Sequence, residues 1–213
     1  MDALSVIVWL VMGAALGFGA RRAAARSIRR DVSYIRVAPP LMLEGATAAI
    51  FAVLAWRISS VPVLMAYGSL AAVGVSLAAL DVAVRRLPNS LVATAYLVTV
   101  GFLIIAALTS QTHGPLLRAL VALPIGLILF GLLYILLPGQ LGGGDLKLAG
   151  VLALALGWWS WTAALTGMLL GWALAAGYVL VLRTARTPPD AGVPLGPFLI
   201  SGAFIEIILS AYH

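Results

Sequence analysis

The sequence predicts an all-α fold, a polytopic membrane helix bundle of about eight transmembrane helices with the N-terminus outside. Three observations lead there. Apolar residues make up 63% of the 213 positions and charged residues 9%, far from the balance of a soluble domain. Apolar runs of about 16–22 residues recur along the chain, close to the roughly 20 that cross a bilayer as a helix. The basic residues gather in short clusters between those runs, and the clusters alternate in strength as the positive-inside rule requires.

Taken in order, the spans fall near 3–20, 41–58, 61–83, 90–108, 116–137, 146–160, 162–182 and 195–212. The first has the length of a signal peptide, but its charges follow the apolar run instead of preceding it, so it is read as a retained span. Between the sixth and seventh, Trp158, Trp159 and Trp161 leave little room for a turn, although tryptophan suits a membrane interface. With alternating spans, Arg21, Arg22, Arg26, Arg29, Arg30, Arg36, Arg85, Arg86, Lys147, Arg183 and Arg186 fall on one side. Only Arg57 and Arg118 fall on the other. That asymmetry predicts cytoplasmic loops at 21–40, 84–89, 138–145 and 183–194, with the C-terminus outside. The chain reads as one integral membrane domain over 1–213, with a short N-terminal span and basic loop over 1–39 and a core over 40–213.

Composition also excludes. The net charge of +6 is confined to connections between apolar runs, so no nucleic-acid partner is expected; membrane lipid is. No cysteine is present, which removes disulfides and thiol chemistry, and His113 and His213 are too few and too far apart for a metal site. Neither metal nor cofactor is expected. The glycine run 142–144 is not a phosphate loop, because Gly142, Gly144 and Lys147 do not make the dinucleotide spacing and no Gly-Lys-Ser/Thr occurs.

The candidate chemistry lies in two carboxylates. Asp145 follows Gly142-Gly143-Gly144 where a span begins, and Asp81 lies at the end of the third span, ahead of Arg85-Arg86-Leu87-Pro88-Asn89. An ionisable group at the edge of hydrocarbon is costly and asks for a role. Two whole spans separate the pair, so parity returns both acids to one membrane face at similar depth. Two such carboxylates can activate water, the ionised one as general base and the protonated one as general acid, sharing a proton as close like charges must. Helix ends favour the anion at Asp145 and the neutral acid at Asp81, with Arg85 opposing. The bland alternatives are a helix-end ion pair for Asp81 with Arg85 and simple capping for Asp145.

Asp81 with Arg86-Leu87-Pro88-Asn89, then Gly142-x-Gly144-Asp145-Leu146-Lys147-Leu148, resembles the type IV prepilin peptidases, membrane aspartyl proteases of the GxGD class. Pro40-Leu41-Met42-Leu43-Glu44 and Pro194-Leu195-Gly196-Pro197-Phe198-Leu199 extend the resemblance to most of the chain. It implies that Asp81 and Asp145 are the catalytic pair and that prepilin or pseudopilin signal peptides are the partners. Cleavage of the short basic leader would occur at the cytoplasmic face of the cell inner membrane. Gly142, Gly143 and Gly144 would leave room for the substrate backbone. Lys147, Arg85, Arg86, Pro88 and Asn89 would position it, Lys147 by steadying the Asp145 anion unless it binds lipid phosphate instead; Gly196 and Pro197 would stand behind the site, and Glu44 either joins them or only complements the dipole of its own helix. The sequence departs from the family in its N-terminal loop, which is short and lacks the Cys-x-x-Cys pairs that bind zinc; N-methylation of the product is therefore not expected.

Glu206 falls inside the last span, where a structural hydrogen bond or a protonated side chain is expected. Gly13-x-x-x-Gly17 and Gly167-x-x-x-Gly171 have the spacing of close helix packing. The rival function is an ion- or proton-coupled transporter built on the same intramembrane acids, against which stand their position at one edge and the lack of an inverted repeat. Which prepilin is cut, and the oligomeric state, are not readable from the sequence.

Overall fold

The computed structural model of the chain describes residues 3–27, 40–138, 141–185 and 193–211. Among them the fold is all-helical: α1 (Ala3–Ser27), α2 (Pro40–Arg57), α3 (Val61–Val84), α4 (Asn89–Ser110), α5 (Gly114–Leu136), α6 (Gly143–Trp159), α7 (Trp161–Thr184) and α8 (Gly196–Ser210). Five have the length and apolarity to cross a membrane: Ile7–Arg26, Val61–Val84, Asn89–Ser110, Gly114–Leu136 and Trp161–Thr184. The chain is thus a multi-pass membrane bundle, and the helix order is the one expected from the apolar runs. α6 has 17 residues and α8 only 15.

One boundary differs clearly. The loop expected over 21–40 does not begin at Arg21, because α1 continues through Arg21, Arg22 and Arg26 to Ser27. Alanine and arginine are strong helix formers, so the helix outlasts the apolar run that announced it. Arg29, Arg30, Arg36 and Arg186 lie outside the described residues. The doubtful turn between α6 and α7 takes a single residue. Ser160 is extended (φ −165°), ends α6 and begins α7, and its Oγ accepts the Ala163 N–H at 2.8 Å.

Consecutive helices pair: α1 with α2, α3 with α4, α5 with α6 and α7 with α8. Without a hydrophobic drive between helices in lipid, small residues set these contacts. A Cβ on Gly13 would lie 2.8 Å from Phe51, and one on Gly17 3.1 Å from Thr47, so the first glycine pair does seat α1 on α2. Gly167 and Gly171 likewise receive Gly202 of α8.

α3 and α6 are the inner helices. Leu148 to Trp158 of α6 are buried without interruption, and α3 is the most buried of the five long apolar helices. α8 touches both and wedges between them. At one end of the bundle, Tyr67 of α3 donates to the Ala155 carbonyl of α6 at 2.8 Å and stacks on Trp159. At the same end Arg118 of α5 caps α6, its guanidinium donating to the carbonyls of Gly157 (2.7 Å), Trp158 and Trp159 (2.7 Å). These are carbonyls left without partners where a helix stops. The opposite ends of α3 and α6 carry Asp81 and Asp145.

Candidate active site

Asp81 lies one turn before the end of α3. The helix stops because Arg85 takes the left-handed conformation (φ 52°) and returns its N–H to the Asp81 carbonyl at 3.0 Å. Pro88 disfavours a helical Leu87 and then opens α4, its own carbonyl accepting the N–H groups of Leu91 and Val92. The connection from Arg85 to Pro88 is therefore a tight corner fixed by local sequence.

Asp145 lies in the first turn of α6, which begins at Gly143, a little earlier than the apolar run implies. Its Oδ2 accepts the Gly142 N–H at 3.1 Å, capping the helix from within; glycine has no side chain to return the bond. Its Oδ1 is buried and has no hydrogen-bond partner among the described residues.

Both side chains are buried, Asp81 6% and Asp145 9% exposed, yet both line one cavity of about 510 Å³. Among the described residues, the rest of its wall is Val84 to Asn89 and Gly142 to Gly144. The two carboxylates are near enough for the charge of Asp81 to act on Asp145, and Arg85 is near enough to act on Asp81. Span parity thus anticipated the juxtaposition that the fold produces.

The expected motif residues divide. Arg85, Arg86, Pro88, Asn89, Gly142, Gly143 and Gly144 line the cavity. The glycines do not act alike. A Cβ on Gly143 would meet open space, whereas one on Gly144 would lie 2.9 Å from Leu87 Cβ, so the bareness of Gly144 accommodates Leu87 of the α3–α4 corner. Lys147, expected beside the Asp145 anion, instead donates to Asn89 Oδ1 at 2.7 Å, tying α6 to the start of α4. Glu44 stands outside the cavity wall and pairs with Arg21 of α1 at 3.1 Å. Glu206 accepts from Ser210 Oγ at 3.1 Å, the structural bond expected of it. Gly196 reaches the site as a backbone donor, its N–H 2.9 Å from Asp81 Oδ2, while Pro197 occupies the next position of α8.

Three contributors were not anticipated. Leu87 packs on Gly144, Tyr96 donates to the Lys147 carbonyl at 2.7 Å, and Arg118 holds the far end of α6. For Tyr96 the only sequence signal is a phenol within an apolar span. For Arg118 it is a cation on the side that the charge bias otherwise empties.

Two buried carboxylates at a shared cavity, each held at a helix end in a membrane bundle, form a site suited to acid–base chemistry on water. The type IV leader peptidase family model matches residues 68–182, more than half of the chain and both aspartates included, and the protein belongs to that family of peptidases. No curated protein and no solved structure matches the chain.

Proposed function

We propose that the protein is an aspartic prepilin leader peptidase in which Asp81 and Asp145 activate water. The observation that carries this reading is that two acids 64 positions apart in the sequence line a single cavity. In the reaction, water bonds to the scissile carbonyl carbon as its proton passes to the ionised aspartate. The protonated aspartate gives its proton to the carbonyl oxygen. The tetrahedral carbon then collapses: the first aspartate protonates the departing nitrogen as the C–N bond breaks, the second takes back a hydroxyl proton, and the pair is restored.

The substrate class follows from the family: a prepilin or pseudopilin whose short basic leader precedes an apolar helix. The asymmetry of basic residues supports an outside N-terminus and a cytoplasmic site in the cell inner membrane. The absence of cysteine supports cleavage without N-methylation.

Co-expression with candidate prepilins tests the reading. Asp81→Asn and Asp145→Asn should each lower leader removal by at least about 100-fold while leaving the bundle assembled. Substantial cleavage by either variant would sink the two-aspartate mechanism. Mass spectrometry of the released N-terminus should find it unmethylated.

A further inference from the structure

The two carboxylates are not equivalent, and the difference comes from α8. By their own helices, Asp145 sits at an N-terminus and Asp81 near a C-terminus, an arrangement that favours the anion at Asp145. The packing of α8 cancels that advantage. Its first residue, Gly196, aims its N–H at Asp81 Oδ2 at 2.9 Å, so Asp81 also faces a helix N-terminus, supplied by another element. The fit admits no side chain: a Cβ on Gly196 would lie 2.8 Å from the same oxygen.

The surroundings then separate the pair. Asp81 is faced by Arg85 from its own helix end, by the Gly196 N–H from α8 and by Asp145 from α6. Asp145 is faced by the Gly142 N–H at a longer 3.1 Å and by Asp81, while the Lys147 ammonium is engaged by Asn89. One oxygen of Asp145, Oδ1, is buried and has no partner among the described residues. An anion spreads its charge over both oxygens, and a buried oxygen with no donor makes that form costly. A proton on Asp145 removes the buried charge and gives the cavity wall an acid.

Building on the two-aspartate reading, we infer that Asp81 is the ionised general base, held in that state by the Gly196 N–H, and that Asp145 carries the shared proton as general acid. Gly196 is a positioning residue that sets which partner is charged.

Two reagents of opposite preference test this on the detergent-solubilised protein. A diazoacetyl ester reacts with the protonated carboxyl, which protonates the diazo carbon; nitrogen leaves and the carboxylate becomes an ester. An epoxide reacts with the ionised carboxyl, which opens the ring, the resulting alkoxide taking a proton from water. Peptide mapping should find the diazo adduct on Asp145 and the epoxide adduct on Asp81. Exchanged adducts, or equal labelling of both residues by each reagent, would overturn the assignment. In Gly196→Ala the ratio of epoxide adduct on Asp81 to that on Asp145 should fall about 10-fold or more. The kcat of leader cleavage should fall about 10- to 100-fold with KM little changed, the worth of one hydrogen bond to a charged group. Lost activity with unchanged labelling would mean that Gly196 acts only on packing. Cleavage by either Asp→Asn variant would instead fail the two-aspartate reading itself, so the two failures are distinguishable.

Discussion

Gly144 is where one missing side chain joins the two sequence blocks of the site. Leu87 occupies the space a Cβ would need, so Gly144→Ala should force α6 away from the α3–α4 corner at a cost of about 1–3 kcal/mol, as overpacking usually does. Leader cleavage should fall with it, and Leu87→Ala in the same chain should restore part of both activity and thermal stability. Failure of that rescue would show that Gly144 serves something other than the corner. Gly143, with open space around it, should accept alanine with far less loss of stability. The sequence shows a run of three glycines, of which the motif specifies Gly142 and Gly144. What separates them is a neighbour 57 positions upstream, which no local pattern encodes. Gly196 is a similar case: its position was visible in a Pro-Leu-Gly-Pro block, but its N–H at Asp81 depends on how α8 packs.

At the scale of elements, α6 is anchored at both ends by cations in different ways. Lys147 ties its first turns to α4, and Arg118 closes its last carbonyls from α5. Arg118→Ala should lower thermal stability in detergent by about 2 kcal/mol, the scale of a hydrogen bond to a charged group. Arg118→Lys should recover only part of this, because one ammonium cannot reproduce the guanidinium fork. Because Arg118 lies at the opposite end from the cavity, KM for a prepilin should move little; a large rise would place Arg118 in substrate binding. A separate gain is available at the α4–α5 turn, where Gln111 holds φ 54°. Gln111→Gly should raise the melting temperature slightly by relieving up to about 1 kcal/mol of left-handed backbone cost. Helix existence and order were legible because apolar runs of membrane length leave few alternatives. The end of α1 was not, because apolarity marks the bilayer and not the end of hydrogen bonding; the one-residue turn between α6 and α7 was legible to within a residue, but not the Ser160 side-chain cap that shapes it.

At the scale of the whole molecule, the inner helices are pinned together at the Tyr67 end and open into a cavity at the aspartate end. The pairing of Asp81 with Asp145 was legible because parity is a property of the whole chain and is insensitive to boundary errors of a few residues. Reporter fusions should place the α3–α4 corner and the start of α6 on the cytoplasmic side, and an opposite result would remove access to a cytoplasmic leader. The short inner elements have a further consequence. At 1.5 Å per residue, the 15 residues of α8 span about 22 Å and the 17 of α6 about 26 Å, against roughly 30 Å of hydrocarbon. A bilayer meeting the exposed face of α8, marked by Ile205 and Leu209, would thin there locally, which brings headgroups and bulk water toward the carboxylates. Hydrophobic mismatch would then set the turnover rate: in vesicles of defined acyl-chain length, cleavage should slow as the chains lengthen, although no residue of the site has changed.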